Sequence, residues 1–227
     1  MPSSAVNPPI VIAIDGTSAS GKSTNSRLVA EALGFIHVDT GAMYRTLAWY
    51  CLRQRADVHD AKAVAAACRR WKTTLKCQDG QVHLAVESYV PAQEIRTAEV
   101  SAAVPHVAAV PAVRAWMRKK QRECARFGNL VMEGRDIGSN VFPETEFKFY
   151  LDATLEERAR RRRADGIQDN LAARDQRDSQ RAVAPLMIPL GATVINTSRL
   201  TPEQSSSLIL AQVRRRLAER ERAAQKP

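Results

Sequence analysis

Five short apolar runs, at residues 10–14, 35–39, 130–133, 147–151 and 192–196, divide the chain, with longer amphipathic stretches between them. The first, Ile10-Val-Ile-Ala-Ile14, is β-branched, of strand length, and bounded by Pro8-Pro9 and Asp15-Gly16, which predicts a buried strand. The other four runs read the same way. Leu28, Val29, Ala32 and Leu33 recur at helical spacing and put a helix over residues 22–33, stopped by Gly34. Helices are also expected over 42–55 (Tyr44, Arg45, Leu47, Ala48, Cys51), the Ala-rich 60–71, and 111–127. Thr154 and Glu157 form a capping box for a helix after the fourth run. Thr201 and Gln204 form another, with Pro202 in the first helical position, for a final helix over 202–223. Strands alternating with helices predict βαβ units and an α/β fold with a parallel sheet.

Residues 57–100 depart from that alternation. Residues 73–77 and 81–86 look like two strands about an Asp79-Gly80 turn, so this part is a small α+β insertion. His83, on the second of these strands, reads as a surface or packing residue.

Between the first strand and first helix lies Gly16-Thr-Ser-Ala-Ser-Gly-Lys-Ser23, a G-x-x-x-x-G-K-S pattern in the context that a phosphate-binding loop requires. Glycines let backbone N–H groups turn inward around a polyphosphate, and the helix N-terminus adds positive potential. An ATP-binding loop is therefore expected of Gly16, Thr17, Ser18, Ala19, Ser20, Gly21, Lys22, Ser23 and Thr24. Lys22 would reach the β- and γ-phosphates, and the Ser23 hydroxyl would ligate Mg²⁺. Ligands of such sheets gather at the carboxyl ends of strands, which brings Asp39 to Arg45 and Gly134-Arg-Asp-Ile-Gly138 to the same edge. There Arg45 is either a solvated charge or a phosphate ligand.

The net charge of +10 admits two explanations: attraction to nucleic acid, or polyanionic substrates. Arginines 158, 160, 161, 162, 163, 174, 177 and 181 fall within 24 residues, and Arg174, Arg177, Asp178 and Arg181 share one helical face beyond a break at Asp165-Gly166. No aromatic residue is interleaved to stack bases, so a segment closing over phosphates fits better than an RNA surface. The four cysteines are far apart, without zinc spacing, and read as reduced. No run approaches a membrane span, and residues 1–9 lack the pattern of a secretory signal, so a cytoplasmic enzyme is expected.

The motifs together resemble those of bacterial cytidylate kinases. They are the loop, Asp39-Thr-Gly-Ala-Met-Tyr-Arg45, Glu94-Ile-Arg-Thr97, Val113-Arg114, Gln121-Arg122, Gly134-Arg-Asp-Ile-Gly138 and Arg174-Asp175 through Arg181-Ala-Val-Ala-Pro185. The resemblance covers about residues 10–222. It implies a single P-loop kinase domain over 1–227 with a five-stranded parallel sheet flanked by helices. An insertion that binds the nucleoside monophosphate (57–127) and an arginine-rich lid (158–173) go with it. It implies transfer of the γ-phosphoryl group of ATP to CMP or dCMP. Thr40, Arg45, Arg135 and Arg181 would hold the acceptor phosphate, Arg114 and Asp136 the cytosine, and Arg174 and Asp178 the ribose. Arg158 and Arg162 would meet ATP from the lid. Where the family commonly offers a serine hydroxyl to the base, this chain has Pro105.

The chemistry agrees with such a transfer. A phosphate monoester with a second pKa near ~6 is largely dianionic at neutral pH and needs no general base. Catalysis would be in-line positioning plus charge neutralisation by Lys22, Arg135, Arg181 and Mg²⁺. A monomer that binds neither nucleic acid nor membrane is expected. The rival readings are a P-loop kinase for another nucleotide or a small metabolite, and an ATP-dependent nucleic-acid-binding protein.

Overall fold

The strand ahead of the phosphate loop, β1 (Val11–Gly16), lies inside a seven-stranded sheet. The others are β2 (Ile36–Asp39), β3 (Thr73–Gln78), β4 (Gln81–Val86), β5 (Leu130–Glu133), β6 (Phe147–Asp152) and β7 (Thr193–Asn196), in the order β3-β4-β2-β5-β1-β6-β7. This computed structural model describes residues 8–164, 170–181 and 183–224, with backbone alone for Arg174 and Ala224. Every pairing is parallel except β3 with β4.

Helices cover both faces, so β1 is buried on both sides. Val11 and Ala13 join a cluster with Met43 and Leu47 of α2 (Thr40–Arg53), Val64 of α3 (Ala61–Arg70), Val107 of α4 (Ala98–Ala109) and Met117 of α5 (Pro111–Glu123). Ile12 and Ile14 face the other way, onto Val29 of α1 (Lys22–Leu33), Phe147 and Phe149 of β6, and Ile209 of α8 (Pro202–Ala224). A period of two with both sets apolar is what a parallel strand between helix layers needs, and each fully buried Ile contributes roughly 1.5–3 kcal/mol. Thr201 Oγ1 accepts from Gln204 N at 3.2 Å while Gln204 Oε1 accepts from Thr201 N at 2.9 Å, so that capping box is complete. At α6 (Leu155–Ala164) only half forms: Thr154 Oγ1 accepts from Glu157 N, but the Glu157 carboxylate turns to Arg160 and Arg161.

The expectation of five strands is corrected to seven. The hairpin of the insertion joins the sheet, β4 meeting β2 at His37 and Gln81, and β3 becomes the outer edge. The physical reason is the free edge that β2 would otherwise present; β4 covers it and sends Val82, Leu84 and Val86 into the core. A second difference is α4, a helix that the sequence reading left out. Its Ala/Val composition carries little polar periodicity and Pro105 sits inside it, yet Thr97 caps it by accepting from Val100 N at 3.2 Å. The break expected at Asp165-Gly166 lies outside the described residues; beyond it α7 (Leu171–Ser179) starts with Asn170 as its cap.

Candidate active site

A cavity of about 470 Å³ opens at the carboxyl ends of β1, β2 and β5. Among the described residues, seven arginines and Lys22 line it against four carboxylates, Asp39, Glu133, Asp136 and Asp178.

One wall is the phosphate loop. Gly16 has φ +149°, and a Cβ there would meet the Leu151 carbonyl oxygen at 2.0 Å, so only glycine lets β1 run this close to β6. Gly21 takes φ +88° as the N-cap of α1. Ser18, Ala19, Gly21, Lys22, Ser23 and Thr24 line the cavity. Thr17 and Ser20 instead brace the loop: Thr17 Oγ1 donates to Asp152 Oδ1 at 2.9 Å and Ser20 Oγ to the Thr17 carbonyl at 3.0 Å. Lys22 Nζ donates to the Thr17 carbonyl at 2.5 Å and reaches Ser20 Oγ at 3.5 Å, folded over the concavity of its own loop.

The floor is the end of β5. Ser23 Oγ donates to Glu133 Oε2 at 2.8 Å, Thr40 Oγ1 donates to the Glu133 carbonyl at 2.6 Å, and His37 Nε2 lies 3.4 Å from Glu133 Oε1. Burial, with Glu133 beside it, pushes the Asp39 carboxyl above its usual range. Burial pushes Glu133 the same way, but His37, Lys22 and Ser23 outweigh it and hold Glu133 below the usual range. Sequence reasoning assigned Glu133 no role; its signal was a carboxylate ending an apolar strand at the ligand edge.

The opposite wall is built from paired charges. Arg114 Nη2 donates to Asp136 Oδ2 at 2.6 Å, its Nη1 reaches the Ala108 carbonyl at 3.4 Å, and its guanidinium lies 5.8 Å from the centre of the Tyr44 ring. The buried Nε of Arg114 has no hydrogen-bond partner among the described residues. Asp178 bridges two arginines, accepting from Arg135 Nε at 2.9 Å and from Arg181 Nη2. Burial pulls Arg181 below the ordinary arginine range; Asp178 opposes this and the charges of Arg114 and Arg135 add to it. Such a group gains from an anion. Arg45 Nη1 donates to Ser101 Oγ at 2.8 Å and to the Ile95 carbonyl at 3.3 Å, at the rim. Of the residues expected here, Thr40, Arg45, Arg114, Arg135, Asp136, Asp178 and Arg181 all line the cavity; the side chain of Arg174 lies outside the described residues.

The arginine-rich helix divides. Arg162 lines the cavity, but Arg158 does not: it is buried beneath the loop, donating to the carbonyls of Ala153 (3.0 Å) and Ser18 (3.3 Å) and pairing with Asp175. Arg161 lines it instead, with Nη1 3.3 Å from the Ala19 carbonyl and Nη2 2.8 Å from that of Thr197. Arg96, from the Glu94-Ile-Arg-Thr97 motif, is a further lining cation that had no assigned role.

A family profile described as cytidylate kinase matches residues 12–215. The chain is 40% identical over 220 residues to the cytidylate kinase of Anoxybacillus flavithermus, covering 92% of this chain and 97% of that one. It is 37% identical over 221 residues to the cytidylate kinase of Caldanaerobacter subterraneus, with coverages of 92% and 97%. It is also 41% identical over 225 residues to a bifunctional pantoate ligase/cytidylate kinase of Acaryochloris marina, where it spans 92% of this chain but 43% of that longer protein.

Proposed function

The chain belongs to the cytidylate kinase family, and we infer that it transfers the γ-phosphoryl group of ATP to CMP or dCMP, giving CDP or dCDP. One observation carries the assignment to the cavity. The phosphate loop faces, across a single space, an arginine cluster that outnumbers the carboxylates beside it and a carboxylate–guanidinium pair, Asp136 with Arg114.

In this reading, Lys22 leaves the Thr17 carbonyl for the ATP phosphates, and backbone N–H groups of residues 18–24 surround them. Arg161 and Arg162 approach the same phosphates from α6, while Arg158 holds the loop's shape from below. Arg45, Arg135 and Arg181, with the Thr40 hydroxyl, take the acceptor phosphate, which displaces the Asp178 carboxylate from between its two arginines. Asp178 is then released to the ribose, with Arg174. Arg114 and Asp136 read the cytosine. Residues 57–127 serve as the monophosphate-binding insertion and 158–173 as the lid, whose closure keeps water from the γ-phosphate. The transfer needs no general base, because the attacking oxygen belongs to a phosphate that is already ionised.

Mg²⁺ fits the donors present. Ser23 Oγ, the Glu133 carboxylate and Asp39 form an all-oxygen set suited to a hard cation. Bound there with ATP, the ion would neutralise charge on the β- and γ-phosphates. We take the enzyme to be a cytoplasmic monomer acting on free nucleotides; no helix among the described residues is long and apolar enough to cross a membrane.

The decisive experiment is ATP consumption with CMP, dCMP, UMP, AMP and a set of small alcohols as acceptors. CMP and dCMP should be preferred in kcat/KM. Preference for an alcohol or for AMP would overturn the assignment.

A further inference from the structure

Asp136 is held by one of its two oxygens. Oδ2 accepts both from Arg114 Nη2 at 2.6 Å and from Asn140 Nδ2 at 2.9 Å, whereas no donor among the described residues meets Oδ1. The orientation of the Asn140 amide follows from chemistry: an ionised carboxylate only accepts, so the NH₂ group must be the end that faces it. Asn140 is itself fixed at the main chain. Its N–H donates to the Asp136 carbonyl at 2.9 Å, and its carbonyl accepts from Arg118 Nε at 3.0 Å. The two residues are joined by a turn of π-helix, Ile137–Val141, whose first two N–H groups end on the buried Asp15 at 2.8 and 2.7 Å. The wall formed by α4 offers no substitute for this contact, because Val104, Pro105 and Ala108 carry no side-chain donor.

The arrangement leaves a specific alternative unused. Arginine and aspartate commonly meet in a fork, two N–H groups on two oxygens. Here Arg114 gives only Nη2, and its Nε stays buried without a hydrogen-bond partner among the described residues. Were the Asp136 carboxylate to turn about its terminal bond, Nε and Oδ1 would be the groups to close the fork. Asn140 opposes that turn by competing for Oδ2.

We propose that Asn140 is a specificity-determining positioning residue, which keeps the Arg114–Asp136 pair to a single hydrogen bond so that the second oxygen of Asp136 stays available to the base. Oδ1 of Asp136 is thereby kept for the exocyclic amine of a cytosine. A uracil would present a carbonyl to Oδ1 and is rejected. The proposal rests on the reading of the acceptor as a cytidine nucleotide.

The test uses the full chain with Asn140→Ala and the similarly sized Asn140→Leu, neither of which can donate. Initial rates give kcat and KM for CMP, UMP and ATP, alongside the melting temperature. Loss of one hydrogen bond to a charged group predicts a fall of about tenfold in the CMP-to-UMP ratio of kcat/KM, carried mainly by KM for CMP. KM for ATP and the melting temperature should hardly move. A ratio within about twofold of wild type in both variants would overturn the proposal. So would KM values for CMP and ATP rising together with a falling melting temperature, since that marks a merely structural residue. If the wild-type enzyme itself fails to prefer CMP, the functional reading falls first; if it prefers CMP and the ratio ignores residue 140, only this inference falls.

Discussion

On the donor side of the cavity, most groups that would meet ATP come from residues 18–24 and are largely backbone N–H groups, with Arg161 and Arg162 added from α6. On the acceptor side they are side chains gathered from α2, α5, the turn after β5 and the region of α7, from Thr40 to Arg181. The difference extends to how each side waits for its ligand. Lys22 donates to the neutral carbonyl of Thr17 in its own loop. Arg135 and Arg181 rest on a buried carboxylate, and removing one member of such a set is costly, whereas exchanging a carboxylate for a phosphate keeps both arginines paired. The phosphate loop therefore concentrates its charge in one lysine, with Arg161 and Arg162 added from α6, and the acceptor side spreads its charge over exchangeable ion pairs.

The sharpest way to break that contrast is Lys22→Ala. Removing a group that stabilises transition-state charge costs about 10²–10³ in rate or more, and here no second donor-side side chain on the loop carries a positive charge. Lys22 touches its own loop through Thr17 and Ser20, so the variant should fold with a normal circular dichroism spectrum and lose kcat. Near-normal turnover would remove the loop from the chemistry.

Arg181→Ala comes next. It leaves Asp178 with Arg135 and takes one of the cations proposed to face the acceptor phosphate. A charged hydrogen bond is worth roughly 1.5–3 kcal/mol, so KM for CMP should rise at least about tenfold while KM for ATP stays within about twofold. Equal rises in both constants would move Arg181 to the donor side and blur the distinction.

The same contrast decides what could be read in the chain without coordinates. The unit β1–loop–α1 was legible because each signal is local: an apolar run, two glycines, a lysine and a periodic helix within two dozen residues. Five parallel strands and the capping box at Thr201 and Gln204 followed from equally local patterns, while the box at Thr154 and Glu157 forms only by half because Arg160 and Arg161 take the carboxylate. What escaped depends on partners far away in sequence. Glu133 meets Ser23 across 110 residues, and nothing in Leu130-Val-Met-Glu133 announces that. Arg158 and Arg161 stand three apart in one arginine run, yet one braces the loop from beneath while the other faces the cavity; only the packing of α6 decides. The hairpin was visible as two strands, but not the edge it would cover.

Asp15 joins the two sides, standing next to last in β1 and accepting from Ile137 N and Gly138 N of the turn that follows Asp136. Burial pushes its pKa from 3.8 up to about 7, with those two bonds opposing. The folded state thus holds the proton more tightly than the unfolded one. This contribution to stability is complete below about pH 4 and is lost as pH rises through about 7. Asp15→Asn keeps one acceptor and cannot ionise, so it should cost stability at pH 5 and noticeably less at pH 8, a difference on the order of a few kcal/mol. Melting curves of both proteins across that range check it. A gap that stayed constant would mean that Asp15 is ionised throughout.

The smallest effect expected is at Pro105, on the acceptor wall. A serine there would bring a hydroxyl near the base, but Asp136 Oδ2 already has two donors, and Oδ1 is the oxygen that the amine of cytosine needs. Selectivity should therefore stay within about twofold of wild type in the CMP-to-UMP ratio of kcat/KM. Stability should change more than specificity does. Pro105 lies in the interior of α4, where proline lacks the N–H that would bond to the carbonyl four residues back and its ring crowds that turn, at roughly 3 kcal/mol or more relative to an ordinary helix residue. The stiffer unfolded chain that proline provides offsets part of this, so Pro105→Ser should gain on the order of 1 kcal/mol. A higher melting temperature with an unmoved ratio is the expected pair of results. Discrimination sharpened tenfold would show instead that α4 reads the base, and the acceptor side would then owe its selectivity to a hydroxyl that this chain lacks and not to the ion pair of Arg114 and Asp136.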